Sequence, residues 1–502
     1  WLIVLDDIAD PADLIAHPGS GQRFSLWPPA SAHGRVLVTT RCRDAALFGE
    51  GRRRIDVGLF SREESLAYLA SALAAHGRVE PADELAALAD DLGHLPLALA
   101  QAVAYLIDAG ETAADYRQLL ADRTTTLHRL APDSLPDEQA TAVAAAWSLS
   151  IDRADTLQPA GLARPMLQLA AFLDPAGIPQ PVLTSETARA YLTAHRTASD
   201  DSPGQATVSP TDAVRALRAL HRLSLIDHQP STPYQAVHIH QLIQHATRDT
   251  LTPDQHHQSA RTAAVALLEA WPAIERDTSL AQALRANTSA LMHHADDSLY
   301  EPDAHAVLYR LGHSLGESGQ TTAAADHFRH LAAAARNKLG EDHPDTLAAR
   351  GNLATWRGTA GDAAGAAQAF ADLLEPMIRV LGEDHPNTLT TRNNLAHWRG
   401  QAGNAAGAAQ AFTDLLTDRI RVLGEDHPNT LTTRNNLAHW RGEAGDAAGA
   451  AQAFTDLLTD RIRVLGEDHP DTLTTRNNLA HWRKRAEDGS TEAGTSQGNQ
   501  QP

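Results

Sequence analysis

The sequence predicts a mainly α-helical protein that opens with a partial α/β segment and closes with an α-solenoid. Three observations carry that reading. The block Leu-Gly-Glu-Asp-His-Pro recurs at 339–344, 381–386, 423–428 and 465–470, a fixed step of 42 residues that marks a stacked repeat. Aromatic residues are only 5% of the 502 while alanine is abundant, which suits closely packed helices better than β-sandwich cores. Strand-like runs are confined to residues 1–60 and to one small hairpin near 224–238.

Composition excludes several classes. The 42 Lys+Arg face 62 Asp+Glu, a formal charge of −20, which argues against direct nucleic-acid binding because phosphate neutralisation needs clustered cations. Cys42 is the single cysteine, so neither an internal disulfide nor a cysteine-based zinc site can form, and a reducing, cytoplasmic setting is expected. No apolar run reaches the ~18 residues of a membrane helix, so no membrane span is expected.

The elements follow in order. The first residue is Trp1, not Met, and it opens directly into a strand, so the chain is expected to be a fragment, or a processed or mis-started product. Trp1-Leu-Ile-Val-Leu5 is the short apolar run of a parallel strand buried on both faces, and it ends in Asp6-Asp7. A Gly/Ser/Pro-rich stretch over 18–34 leads to a second strand, Arg35-Val-Leu-Val-Thr-Thr40, followed by Arg41, and a third is expected over 54–59. Ser61 with Glu64 forms a capping box, and helices are expected near 62–76, 81–92, 96–109 and 112–122. A linker over 123–139 precedes a helical block with a loop at 198–210 and two short strands at 224–227 and 234–238 before a helix from Gln241. Helices with a small hairpin give a winged-helix-like unit. The boundaries are an α/β segment over 1–60, a helical subdomain over 61–125, a winged-helix-like domain over 140–250, a helical connector over 255–298, the repeat array over 299–485 and a disordered tail over 486–502.

Within the array, 386–427 and 428–469 differ only at Gln401/Glu443 and Asn404/Asp446. Asn387 and Thr388 can cap a first helix, whose apolar face is Leu395, Trp398 and Ala402. Gly403 breaks it and Asn404 caps a second. There Ala408, Phe412, Leu415, Leu416, Ile420 and Leu423 form one stripe, and Gly424 suits the left-handed position that follows a helix. One hairpin cannot bury its face alone, so neighbours share an elongated core.

This pattern resembles the tetratricopeptide repeat family, in the 42-residue form of kinesin light chains, over about 299–485. Asn394-Leu395-Ala396, Gly403, Ala408 and Phe412 carry the likeness. Arg357, Arg399, Arg441 and Arg483 stand where the family usually has Tyr. The resemblance implies that first helices line a concave face, which would hold Asn393, Asn394 and His397, then Asn435, Asn436 and His439, then Asn477, Asn478 and His481. Such ladders suit an extended peptide or protein ligand bound through its backbone. The other reading is that they only satisfy hydrogen bonds between repeats.

The N-terminal half resembles the NB-ARC group of signal-transduction ATPases over about 1–250. Leu2-Ile-Val-Leu-Asp6-Asp7 has Walker B form, Val36-Leu-Val-Thr-Thr-Arg41 lies on the next strand, Leu92-Gly-His-Leu-Pro-Leu-Ala-Leu99 follows, and Ile239-His240-Gln241 stands near the Met-His-Asp signature. The resemblance implies a partial P-loop-type α/β domain and a site for ADP or ATP with Mg. Asp6 would serve Mg²⁺, Asp7 the hydrolytic water, Arg41 the terminal phosphate, Pro96 the base and His240 the β-phosphate of ADP. Gln241 replaces the usual acid, and His240 has the other reading of a packed core histidine. No G-x-x-x-x-G-K-S/T occurs, so this polypeptide alone should have negligible nucleotide affinity, and whether it is an enzyme stays open.

The function implied is a nucleotide-gated regulatory switch whose repeats bind a protein or peptide partner, with homo-oligomerisation in the active form. The alternative is a non-catalytic scaffold with a vestigial nucleotide domain.

Overall fold

The computed structural model describes residues 2–5, 35–39, 59–130, 138–197 and 207–497. Strand β1 (Leu2–Leu5) pairs parallel with β2 (Arg35–Val38), with Ile3 opposite Val36 and Val4 opposite Leu37. The parallel pairing is the expected one. Burial on both faces is not observed: Val4 and Leu37 are 53% and 49% exposed. Among the described residues no helix flanks this pair to cover both faces of the parallel sheet. The third expected strand, apart from Leu59, lies outside the described residues, as do Cys42 and the core of the 198–210 loop.

The helical subdomain holds α1 (Arg62–Ala74), α2 (Ala82–Asp91), α3 (Pro96–Ala109) and α4 (Ala113–Leu130). Ser61 caps α1 in the expected capping box, accepting from the backbone N–H of Glu64. Pro96 occupies the first turn of α3, where its missing N–H costs nothing, and Gly110 closes that helix at φ +75°. Helix α4 runs on to Leu130, so the linker expected from 123 starts later: no Gly or Pro interrupts the helix before Pro132.

The winged-helix-like part is built from α5 (Glu138–Thr156), α6 (Ala163–Ala170), α7 (Gln180–Leu183), α8 (Glu186–Ala194), α9 (Pro210–Arg222), β3 (Asp227–His228), β4 (Val237–His238) and α10 (Gln241–Asp249). Strands β3 and β4 are antiparallel, and Ile178 bridges Val237 on the other side, so three short strand segments lie together. The Asp108 carboxylate, 1% exposed on α3, joins this part to the helical subdomain. It accepts from Arg153 of α5 at 2.6 Å and pairs with Arg222 of α9.

Helices α11 (Pro253–Ala270) and α12 (Thr278–Ala295) form the connector. Buried Asn287 docks α12 on the wing: its amide donates to the Gly177 carbonyl at 2.8 Å and accepts from the Asp174 N–H at 3.1 Å. The array follows in pairs: α13 (Ala306–Glu317) with α14 (Thr321–Leu339), α15 (Pro344–Thr359) with α16 (Ala363–Leu381), α17 (Pro386–Gln401) with α18 (Ala405–Leu423), and α19 (Pro428–Glu443) with α20 (Ala447–Leu465). Helix α21 (Pro470–Gln497) ends it. The tail expected to be disordered from 486 is therefore helical as far as Gln497, continuing the register of the repeat's first helix.

One continuous apolar core extends from Leu69 to Ala349. Beyond it the core divides into one small cluster per repeat, each holding a Phe of the second helix (Phe370, Phe412 or Phe454) and a Trp of the next repeat. That division is the nearest-neighbour packing of a solenoid.

Candidate ligand-binding face of the repeat array

The first helices α15, α17, α19 and α21 each begin at a His-Pro pair, and α13 begins at His305-Ala306. The cap is the histidine, not Asn387 or Thr388: Nδ1 of His385 accepts the Asn387 N–H at 3.2 Å, and His427 and His469 do the same to Asn429 and Asp471. Pro386 fixes the first helical position, so the residue before it must supply the cap. Thr388 is fully buried, with its hydroxyl 3.4 Å from the Met377 carbonyl.

Next comes the Trp-Arg-Gly triplet. The indole of Trp398 lies on Gly358 of the preceding repeat, Trp440 on Gly400 and Trp482 on Gly442. The arginine after the tryptophan braces the turn: Arg441 donates to Asp446 at 2.7 Å, and Asp446 accepts the Gly449 N–H that starts the second helix. In that helix the buried stripe is Ala408, Phe412, Leu415 and Arg419, while Ile420 is 37% exposed. The predicted stripe thus turns one residue early, because hydrophobicity alone passes over an arginine. Arg419 and its counterpart Arg461 are each only 4% exposed, which hydrophobic patterning does not indicate. Arg419 donates to the Asn429 carbonyl at 2.8 Å and the Thr433 hydroxyl at 2.6 Å, tying one repeat to the next without a carboxylate. Position 377 holds Met in the preceding repeat, so no periodic signal pointed to it.

The predicted Asn and His side chains do come together. Asn478 donates to Asn435 (3.3 Å), Asn435 to Asn436 (3.5 Å), Asn436 to Asn393 (3.4 Å) and Asn393 to Asn394 (3.4 Å). These are long, weak bonds, but they run in one direction across three repeats. Asn477 is exposed at the end of the row. The row stops at Asn394 because Gly351 stands one repeat back from Asn393. Beside it, the His397 ring meets Trp398 and Trp440 edge-on, His439 meets Trp440 and Trp482, and His481 meets Trp482. Burial holds the imidazoles of His397 and His439 below their usual range, so both are neutral near pH 7.

Family profiles match this geometry. Tetratricopeptide repeat profiles cover residues 303–375, 388–429 and 430–471. The array is made of tetratricopeptide repeats. Residues 153–256 match a domain of unknown function, DUF7779. A nucleotide-binding leucine-rich repeat (NLR)-like protein of Hyaloscypha variabilis is 29% identical over 126 residues, which are 24% of this chain and 13% of that protein. The match thus spans about an eighth of that relative's length. Among solved structures, a Podosopora anserina putative kinesin light chain with nearly identical repeats is 20% identical over 40% of this chain and 91% of its own, with TM-score 0.34. A Pyrococcus horikoshii Signal Transduction ATPase with Numerous Domains, bearing a tetratricopeptide repeat sensor, is 12% identical over 100% of this chain and 75% of its own, with TM-score 0.32.

Of the residues assigned to nucleotide, only Pro96 and His240 are described, and neither lies in the tetratricopeptide array. Asp6, Asp7 and Arg41 fall outside the described residues. Pro96 is exposed on α3, and His240 caps α10 by accepting the Leu242 N–H at 3.1 Å. The loop before Pro96 carries a group the sequence reading missed. His94, at φ +56°, lies 3.1 Å from the Ser65 hydroxyl and 3.3 Å from Asp90. The Ser65 hydroxyl is fully buried, so no substrate reaches it, and the serine, histidine and aspartate fasten the loop. One further cluster has metal-ligand chemistry among the described residues: Asp303, His343 and Asp345. Nδ1 of His343 accepts the Asp345 N–H at 3.2 Å and one Asp345 oxygen accepts the Ala304 N–H at 3.0 Å, so part of the cluster serves the turn, while His343 Nε2 faces Asp303 at 3.6 Å. No described helix is long and apolar enough to cross a membrane.

Proposed function

We propose that the tetratricopeptide array binds an extended peptide segment of a protein partner along the Asn–His row. Protein interaction is the general role such repeats support. The single observation that carries the finer reading is the directional amide row. Each asparagine amide has two N–H donors and two acceptor sites, and the row uses a fraction of them. The remainder matches the alternating N–H and C=O groups of an extended backbone. The test is a peptide-display library selected on this chain, with binders measured against the joint replacement of Asn394, Asn436 and Asn478 by alanine. Binders should weaken at least about tenfold while the melting curve is kept; unchanged affinity removes the row as the site.

We further propose that the chain belongs to a nucleotide-gated switch, in which ADP or ATP with Mg sets whether the array is available. The NLR-like relative and the motifs at Asp6-Asp7, Arg41, Pro96 and His240 support this reading. Its test is ADP retention by the protein extended to its full reading frame, with and without His240→Ala. Equal retention rejects the role of His240, and no retention in either leaves the scaffold reading.

A further inference from the structure

Among the described residues the last first helix of the tetratricopeptide array, α21, has no second helix packed on it. In α15, α17 and α19 the positions Leu347, Leu389 and Leu431 are each 1% exposed, sealed by the repeat's own second helix. The equivalent Leu473 of α21 is 44% exposed. Ala354, Ala396 and Ala438 are buried, whereas the equivalent Ala480 is open. Arg392 and Arg434 each bond an aspartate of their own second helix, Asp418 and Asp460, at 2.8 Å. The equivalent Arg476 has no such aspartate and folds back on Glu467, 3.3 Å from its carbonyl and 3.8 Å from its carboxylate, a looser pairing than the 2.8 Å bonds of Arg392 and Arg434.

We propose that this open face of α21 docks one acidic amphipathic helix from a partner protein. The two preceding repeats show what fills the face: a helix carrying alanine, phenylalanine, leucine and aspartate at i, i+4, i+7 and i+10, as in Ala408, Phe412, Leu415 and Asp418, while α16 keeps the first three and has Pro376 in the fourth place. The surface is continuous with that established packing. Arg476 and Lys484 flank Leu473 and Ala480, so the entering helix is acidic on its flanks.

Two other occupants are excluded by the chemistry. Residues 486–502 contain no valine, leucine, isoleucine, methionine or aromatic residue, so they cannot supply the apolar cover. A second copy has its own second helices closed, with Phe412 and Phe454 fully buried. Pairing two α21 faces would set Arg476 and Lys484 of both copies together. Lys484 also fills the slot that is Gly358, Gly400 and Gly442 in earlier repeats, where the next tryptophan inserts. A whole further repeat therefore cannot stack, and a single helix can.

The probe is a labelled peptide with the sequence of residues 446–466, titrated into the intact chain by fluorescence anisotropy. Saturable binding is expected, weakened at least about tenfold by Phe454→Ser in the peptide and by Leu473→Asp in the protein. Leu473→Asp should melt like the parent because the side chain is already exposed, and Ala480→Glu is the second variant if it does not. Equal binding of both peptides, or equal binding by parent and variants, overturns the proposal. So does a dimer of the parent chain in sedimentation that Leu473→Asp converts to monomer, since the second copy would then be the occupant.

Discussion

The indole of Trp440 lies so close to Gly400 of the preceding repeat that a Cβ on that glycine would fall 2.5 Å from the ring. Trp356, Trp398 and Trp482 stand in the same relation to Gly316, Gly358 and Gly442. The contact explains why glycine is kept inside a helix, where it costs about 1 kcal/mol relative to alanine. It also fixes the spacing of successive first helices.

Gly400→Ala sets two effects against each other. Helix propensity favours alanine by about 1 kcal/mol, while forcing a methyl against a rigid buried indole costs about 1–3 kcal/mol. Trp440 is 5% exposed and has little room to retreat, so the clash should win. A lower urea midpoint for Gly400→Ala is expected, and a higher one would mean that the repeats slide apart freely.

Acid should loosen the array before carboxylates titrate. His305 is buried, and its Nδ1 accepts the Val307 N–H at 3.2 Å as the cap of α13, which only the neutral ring can do. Burial, with Arg261 nearby, pushes its pKa down to about 4. The unfolded chain therefore takes up this proton first. Its contribution is complete above about pH 6.5 and is lost as pH falls toward about 4. His294 on α12 behaves alike, lowered to about 4 by burial and by Arg248 and neighbouring histidines. Melting temperature should fall between about pH 7.5 and about pH 5, and His305→Asn, which caps without titrating, should reduce that fall.

What the sequence made legible was whatever repeats. The 42-residue step gave the helix pairs, and the Asn393, Asn394 and His397 spacing gave the shared face. What it hid depends on contacts between helices. Neutral histidine is not an ordinary cap, so His385 was passed over for Asn387. Arg419 reads as a surface charge until the Thr433 hydroxyl and the Asn429 carbonyl meet it. That Asn436 bonds Asn393 needs the spacing of adjacent repeats, which Trp440 and Gly400 set. Asp6, Asp7 and Arg41, the core of the nucleotide reading, lie outside the described residues.

Arg419→Met tests how a buried charge without a carboxylate is tolerated. The preceding repeat already holds Met377 in this slot, 4% exposed. Losing the guanidinium leaves the Asn429 carbonyl with the Thr433 hydroxyl at 2.8 Å, so no acceptor is orphaned. Replacing a buried charge by an apolar group of similar volume is often neutral or stabilising by about 1–4 kcal/mol. Arg419→Met should therefore hold or raise the melting temperature. Arg419→Ala, which leaves the volume empty, should lower the melting temperature, at a cost of about 2 kcal/mol in stability.

Gly351→Asn should lengthen the amide row by one repeat. Gly351 takes the position of Asn393 one repeat earlier, and its absent side chain is the reason the row ends at Asn394. A Cβ built there meets only Leu373 Cδ2 at 3.6 Å and Phe370 Cε1 at 3.9 Å, ordinary contacts that need no displacement. The residue is mid-helix in α15, so asparagine also gains a few tenths of a kcal/mol in propensity over glycine. By the pattern of Asn436 to Asn393, the Asn394 amide would then donate to the new side chain, a weak bond worth about 0.5 kcal/mol. The two gains together predict a rise in stability of roughly 0.5–1 kcal/mol, read from urea unfolding of the intact chain. Alanine at 351 would gain about 1 kcal/mol in propensity alone, so it is no reference for the amide. A double-mutant cycle of Gly351→Asn with Asn394→Ala isolates the row instead. If the two changes simply add, the amide row adds nothing to packing between repeats, and its order must be credited to the helices that carry it.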